Sequence, residues 1–303
     1  MTKYVIKRVI MAIVTIFIIS AITFFAMNAI PGGPFNREKA LDPATIEALN
    51  ARYNLDKPVL QQFFIYLGHF IKGDLGVSLK NGRSISAIIG DSFPISAKLG
   101  LMAMVVAIFF GILLGSIAAL MRNKWPDRVV IFVSTLFTAV PSFVLATLLL
   151  LIFSIQLGWV RVWSASSQSY ILPVIALSMY PMAYITRLTK SSMLDSLGQD
   201  YVRTARAKGV ASRKVIFKHA LRNALIPVVT YVGPMTAYII TGSLVVETVF
   251  TIGGLGSKFV TGITNRDYTM IMGTTIFLAA VMVTANLIID IVYKLIDPRI
   301  TFD

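Results

Sequence analysis

Cysteine is missing from the 303 residues. Disulfides, thiolate metal sites and a cysteine nucleophile are therefore excluded. Histidine occurs only at His69 and His219. There is no His-Glu-x-x-His and no Gly-x-Ser-x-Gly, so zinc peptidase and acyl-transfer chemistry lack their parts. Charge is scarce at 14% of residues, where a soluble domain carries roughly 25%. Acid is scarcer than base, 14 residues against 28. Only Glu247 and Asp290 come near an apolar run, each at its end, which leaves no carboxylate placed to relay protons across a bilayer. Asp290 precedes Lys294 at the i,i+4 spacing of a helical ion pair. Gly253-Gly254-Leu255-Gly256 follows an apolar run, and Gly256-Ser257-Lys258 lacks the spacing of a nucleotide loop. No catalytic residue and no metal ligand set is expected.

Apolar sequence is what the chain has in quantity: 56% hydrophobic residues and a mean hydropathy of +0.77. Runs of about 20 apolar residues indicate a polytopic membrane protein. Six spans are expected, at 9–30, 94–121, 129–153, 170–186, 224–246 and 273–294. The first follows Lys3, Lys7 and Arg8. It exceeds a signal h-region and has no small-x-small site after it, so an uncleaved span with a cytoplasmic N-terminus is expected. Pro141, Pro173, Pro181, Pro227 and Pro234 interrupt spans three to five. Such breaks persist beside neighbouring protein or a water-filled path, and they also occur as ordinary kinks; both readings stay open. The second span repeats small residues every fourth position: Ala103, Ala107, Gly111, Gly115 and Ala119. Gly111 and Gly115 are expected to serve close helix packing more than a dimer seam. No internal repeat supports an inverted-repeat carrier.

Residues 31–93 are too long and too mixed for a linker. Asp42-Pro43 signals a helix start, and Pro58 a second helix with Leu60, Phe63, Phe64, Leu67, Phe70 and Ile71 at helical spacing. This segment is either an external cap or an amphipathic helix in the lipid interface.

The net charge of +14 would point to nucleic acid in a soluble chain. Here it follows topology, and no nucleic-acid partner is expected. With the N-terminus inside, the inner segments collect Lys3, Lys7, Arg8, Arg122, Lys124, Arg128, Arg187, Lys190, Arg203, Arg206, Lys208, Arg213, Lys214, Lys218, Arg222, Lys294 and Arg299. The two short outer loops hold only Arg161, Lys258 and Arg266. That bias supports N-in and C-in. It places 187–223 in the cytoplasm as a polar loop. Within it Asp200 is expected as an N-cap, Gly209 as a stop, and Ser212 as the cap of a second helix running through Val215, Ile216 and Ala220 towards Pro227.

Tyr201-Val202-Arg203-Thr204-Ala205-Arg206-Ala207-Lys208-Gly209, then His219-Ala220-Leu221-Arg222-Asn223-Ala224-Leu225-Ile226-Pro227, resembles the cytoplasmic loop of binding-protein-dependent ABC importers, in its dipeptide/oligopeptide permease version. Arg203, Thr204, His219 and Arg222 depart from the general EAA-type pattern in the manner of that branch. Pro31-Gly32-Gly33-Pro34, Glu247-x-x-Phe250 followed by Gly253-Gly254-Leu255-Gly256, and Asp290-x-x-Tyr293 followed by Asp297-Pro298-Arg299 resemble the same branch. Gly253 stands where Pro is usual.

The resemblance implies an all-α membrane protein with six transmembrane helices and the type I ABC importer permease fold. It divides into a first helix (1–30), an external insertion (31–93) and a five-helix core (94–303) with a coupling loop at 187–223. It implies a non-catalytic, multi-pass subunit of a prokaryotic plasma membrane, in contact with lipid and forming half of a peptide path. The expected partners are a second permease, two ATPase subunits and an extracellular peptide-binding lipoprotein; ATP and Mg would be bound by the ATPases. Asp200, Tyr201, Arg203, Ala205, Ala207, Lys208 and Gly209 are the expected ATPase contact. Glu247, Gly254 and Gly256 are expected in an external gate or loop. A nickel-chelate or glutathione-like cargo, or a lone membrane enzyme or assembly factor, are the alternatives.

Overall fold

The computed structural model describes residues 2–30, 33–35, 42–164 and 166–296. Pro31-Gly32, Asp297-Pro298-Arg299 and the Lys294 side chain lie outside the described residues. Among the described residues the fold is all helical, apart from one isolated antiparallel bridge between Val77 and Ser84. The helices are α1 (Thr2–Asn28), α2 (Pro43–Arg52), α3 (Val59–Ile71), α4 (Ile85–Leu120), α5 (Trp125–Ala139), α6 (Ser142–Leu149), α7 (Ile171–Leu197), α8 (Asp200–Ala207), α9 (Ser212–Lys214), α10 (Arg222–Ile240), α11 (Leu244–Val249), α12 (Leu255–Asn265) and α13 (Tyr268–Ile296). Two π-helical segments extend α6 (Leu150–Gln156) and join α9 to α10 (Val215–Leu221).

Among the described residues five helices are long and apolar enough to cross a membrane, and the pair α5–α6 makes a sixth span if counted as one. That span is bent by 105° at its break. The cause is local. Pro141 supplies no N–H and forces the residue before it out of the helical region, and Val140 accordingly sits at φ −82°, ψ 128°.

Several helix ends differ from expectation. α4 begins at Ile85 and passes through Pro94, which was expected to open the span. One lost hydrogen bond at Pro94 is offset because Ile85, Ile88 and Ile89 bury against Leu255 and Met270. At about 1.5 Å per residue α4 is ~54 Å long, well beyond the ~30 Å hydrocarbon core. α7 continues to Leu197, so the polar stretch from Arg187 starts as helix. The fifth span stops at Ile240, where Gly242 turns the chain at φ +103°.

α7 is the central helix, packed by α4, α5, α6 and α10. In lipid the hydrophobic effect does not separate a side chain from an acyl tail, so close packing must come from small residues and contact. A Cβ added at Gly111 would lie 2.6 Å from Ile185 Cγ2, and one at Gly115 would lie 2.5 Å from the Thr186 carbonyl oxygen. Gly100 has the same relation to the Ile239 carbonyl of α10, at 2.7 Å. The small-residue stripe thus faces inward along its length, and Ala103 and Ala107 are fully buried.

Residues 42–84 sit against the opening turns of α13 and the end of α1. Phe63 of α3 is buried with Phe24, Met27, Ile271 and Met272, while Leu60, Phe64 and Ile71 stay exposed. Asp267 holds this segment in place. Its carboxylate accepts from Ser78 Oγ (2.5 Å), from Leu79 N (3.1 Å) and from Met270 N in the first turn of α13 (3.2 Å).

Candidate functional site

The polar stretch folds into a short exposed helix seated on a small apolar core. α8 starts at Asp200, and Gln199 is its N-cap, with extended backbone and no side-chain capping bond. Asp200, expected as the cap, is instead the first helical residue, where its charge suits the N-terminal dipole. The C-terminal end is closed by the glycine-ended cap in which two orphan carbonyls are answered at once. Gly209 N donates to Arg206 O (2.9 Å) and Val210 N donates to Ala205 O (3.1 Å). This closure requires the left-handed backbone of Gly209, φ +74°. Ser212 likewise lies inside the next helix, whose N-cap is Ala211.

Beneath α8, Val202 and Ala205 bury with Val215 and Ala220 of the π segment, and Leu197 and Val210 pack around them. Met193 and Ala224 bury with Ala119 in an adjoining cluster flanked by Leu194, Ile216 and Leu221. α8 is therefore tied both to the end of α7 and, through the π segment, to the start of α10. A shift of α8 has to move those helices or break these contacts.

The expected contact residues divide accordingly. Asp200, Tyr201, Arg203, Ala207, Lys208 and Gly209 are exposed. Ala205 is buried and belongs to the support, because positions 202 and 205 share the inward face of so short a helix. Arg203 and Asp200 form a fully solvated 3.5 Å pair of little energetic weight. Phe217 of the π segment, 59% exposed, is not among the expected contact residues. With Tyr201 it offers a second aromatic anchor of the kind that dominates protein interfaces.

An ion pair steadies the base of α7. Lys190 Nζ lies 2.5 Å from Asp127 Oδ1, and Asn123 N donates to Asp127 Oδ2 (3.0 Å). Lys190, one of the cations of the 187–223 stretch, joins α5 to α7. A lone acid beside Arg122, Lys124 and Arg128 was the available signal.

At the far end of α10, Glu247, Gly254 and Gly256 come together. Glu247 is fully buried. Its Oε1 accepts from Ser243 N (3.1 Å) and its Oε2 from Ser257 N (3.1 Å). Leu255 N donates to Ser96 Oγ (2.8 Å), fixing the same turn to α4. The carboxylate thus caps the N-terminus of α12 from outside that helix. A Cβ at Gly254 would collide with Glu247 Oε2, and one at Gly256 would lie 3.0 Å from it. The three residues form a closed turn, with Glu247 shut away from solvent.

His69 pairs with Asp74 at 3.2 Å on the exposed surface, and His219 is half-buried in the π segment. Arg8 Nη2 meets Asp290 Oδ2 at 3.0 Å, joining α1 to α13. No group of three or more potential metal ligands occurs among the described residues.

Five or six helices long and apolar enough to span a bilayer, with a packed knuckle standing off two of them, define a multi-pass plasma-membrane protein. The chain belongs to the inner membrane components of binding-protein-dependent transport systems: that family's model matches residues 111–302, and the model of its N-terminal region matches residues 1–100. It is 41% identical to the oligopeptide transport system permease protein OppB of Haemophilus influenzae, covering all of both chains. It is 43% identical to the dipeptide transport system permease protein DppB of Bacillus subtilis, over 99% of this chain and 98% of that one. Among solved structures, an amino acid ABC transporter crystallised with histidines has a chain with TM-score 0.54 at 16% identity, covering 71% of this chain and 95% of that one; this likeness concerns the fold.

Proposed function

We propose that this chain is one of two permease subunits of an ATP-driven importer of short peptides, with an extracellular binding lipoprotein delivering the cargo and two ATPase subunits, which bind ATP and Mg, docking on α8. The observation that carries the coupling role is the seating of α8, through Val202 and Ala205, on Val215 and Ala220 of the π segment, which links an exposed surface to α7 and α10. A rigid element of this kind transmits rigid-body motion. ATP favours one arrangement of the spans to the extent that the ATPase contact differs between the inward- and outward-open states. The sequence has no nucleotide loop and no intramembrane carboxylate for a proton relay, so energy enters through contact.

Tyr201, Arg203, Ala207 and Phe217 form the outer contact in this reading, and Ala205 and Gly209 shape it. The charge bias supports a cytoplasmic α8 and an external 31–93 segment. Peptide cargo is supported by the names of the oligopeptide and dipeptide permease relatives OppB and DppB. The test is uptake by the four-subunit complex with its binding protein in ATP-loaded proteoliposomes. Concentrative entry of short peptides is expected. Entry of a nickel chelate or glutathione with no entry of other peptides would overturn the cargo, and uptake by this chain alone would overturn the mechanism.

A further inference from the structure

The open faces of this molecule differ in chemistry. On α1 the exposed side chains include Ile6, Ile10, Met11, Ile13, Phe17 and Ile22; on α4 they include Leu101, Val105, Phe109 and Leu113. Those faces suit acyl chains. On α7 the exposed large side chains are Ile171, Ile175, Tyr180 and Tyr184, and on α10 Ile226, Val229 and Tyr238 are exposed while Tyr231 is half-buried. Tyr180, Tyr184 and Tyr238 are 49%, 40% and 60% exposed.

These tyrosines form one surface. Tyr180 and Tyr184 are one turn apart on α7, Tyr231 and Tyr238 two turns apart on α10. The rings of Tyr184 and Tyr231 stack across the two helices with centroids 4.2 Å apart. The exposed prolines Pro227 and Pro234 lie on the same face of α10 as Tyr231 and Tyr238. Tyr180 and Tyr184 lie roughly 14 Å and 20 Å along α7 from Ile171, counting about 1.5 Å per residue. That is mid-bilayer depth, whereas lipid-facing tyrosine collects at the membrane interfaces. Tyr231 Oη is shielded from solvent with no hydrogen-bond partner among the described residues. A hydroxyl left so in hydrocarbon is costly.

We propose that Tyr180 and Tyr184 of α7 and Tyr238 of α10, with the Tyr231 ring stacked behind Tyr184, line the translocation path and that the three exposed phenols contact the cargo peptide in transit. This rests on the peptide-importer reading and adds the residues that touch the cargo. A phenol both donates and accepts, so it serves a peptide's N–H and C=O alike, whatever the side chains are. The ring adds apolar contact at little conformational cost. Such a surface tolerates many sequences, as a carrier of mixed peptides requires. A face covered permanently by the second permease would have no comparable use for hydroxyls at alternate turns.

The test uses the complete complex, with binding protein, in proteoliposomes. A photoreactive benzoylphenylalanine replaces Tyr184 or Tyr238 in turn, and Phe109 as a lipid-facing control; the probe is a radiolabelled tetra-alanine. Light-dependent adducts at the two tyrosine positions but not at the control, suppressed by unlabelled peptide, are expected. Adducts only to the second permease in complexes that still import tetra-alanine would overturn the proposal and leave the importer reading intact. Complexes that import another solute and no peptide would overturn both. In parallel, Y184F and Y238F keep the ring and the fold. Each is expected to raise the KM for peptide uptake roughly threefold to tenfold, the range of one hydrogen bond. An unchanged KM in both and in the double variant would overturn the role of the hydroxyls.

Discussion

Replacing Gly209 with valine separates the conformational demand of the knuckle from its contacts. A Cβ at Gly209 meets nothing within 4 Å, so the substitution creates no clash. What it perturbs is φ +74°. A left-handed backbone costs an L-residue about 1–2 kcal/mol, and a branched Cβ lies at the upper end. If the turn relaxes, the bonds from Gly209 N to Arg206 O and from Val210 N to Ala205 O go with it. A cost of that size shifts the population of the closed turn by roughly tenfold, since about 1.4 kcal/mol is a factor of ten. It is too small and too local to prevent membrane insertion. The assay pairs amide exchange of residues 199–212 with ATP-driven uptake by the complex. G209V should exchange faster only in this segment and lose most uptake. G209N, which tolerates the left-handed region, should keep both near the parent. Normal uptake by a G209V complex whose knuckle is demonstrably frayed would refute the idea that a formed α8 carries the energy.

Other perturbations are equally specific. D127A should lower thermal stability in detergent by about 1–3 kcal/mol, the cost of a buried charge losing its partner; Lys190, 21% exposed, retains access to water. D127A combined with K190M should recover part of that loss. G115L drives a side chain into the Thr186 carbonyl and Thr189, so α4 and α7 must part; a loss of at least about 1–3 kcal/mol is expected, read as a lower melting temperature of the purified subunit. E247A leaves Ser243 N and Ser257 N without their acceptor, worth about 1–3 kcal/mol, and should speed amide exchange at the start of α12, while E247Q, which keeps an acceptor, should lie between E247A and the parent.

The sequence exposed whatever depends on local chemistry. Pro141 announced a break, and helical spacing marked α3 from Pro58. Gly209 announced the left-handed stop of α8. What it hid depends on contacts between distant segments. Nothing near Pro94 signals that Ile85, Ile88 and Ile89 have Leu255 and Met270 to bury against, so the start of α4 was set too late. Lys190 looks like one more inner-side cation until Asp127 is placed beside it. Glu247, Gly254 and Gly256 were legible as a unit through their family pattern; that the carboxylate caps α12 was not, because the capping atoms come from outside the helix. Ala205 was misplaced by one face, since eight residues make too short a helix for periodicity to separate inside from outside.

The absence of cysteine makes the most direct measurement simple. A single cysteine placed at exposed Ala207 of α8 has no background thiol in this chain to compete with it. In the assembled complex, under mild oxidation or with a short bifunctional reagent, it should cross-link to a cysteine on the surface of the ATPase subunit, with a yield that changes when ATP is added. If cysteines at Tyr201, Arg203 and Ala207 all fail to cross-link to the ATPase while the complex still hydrolyses ATP and imports peptide, α8 is not where the energy enters.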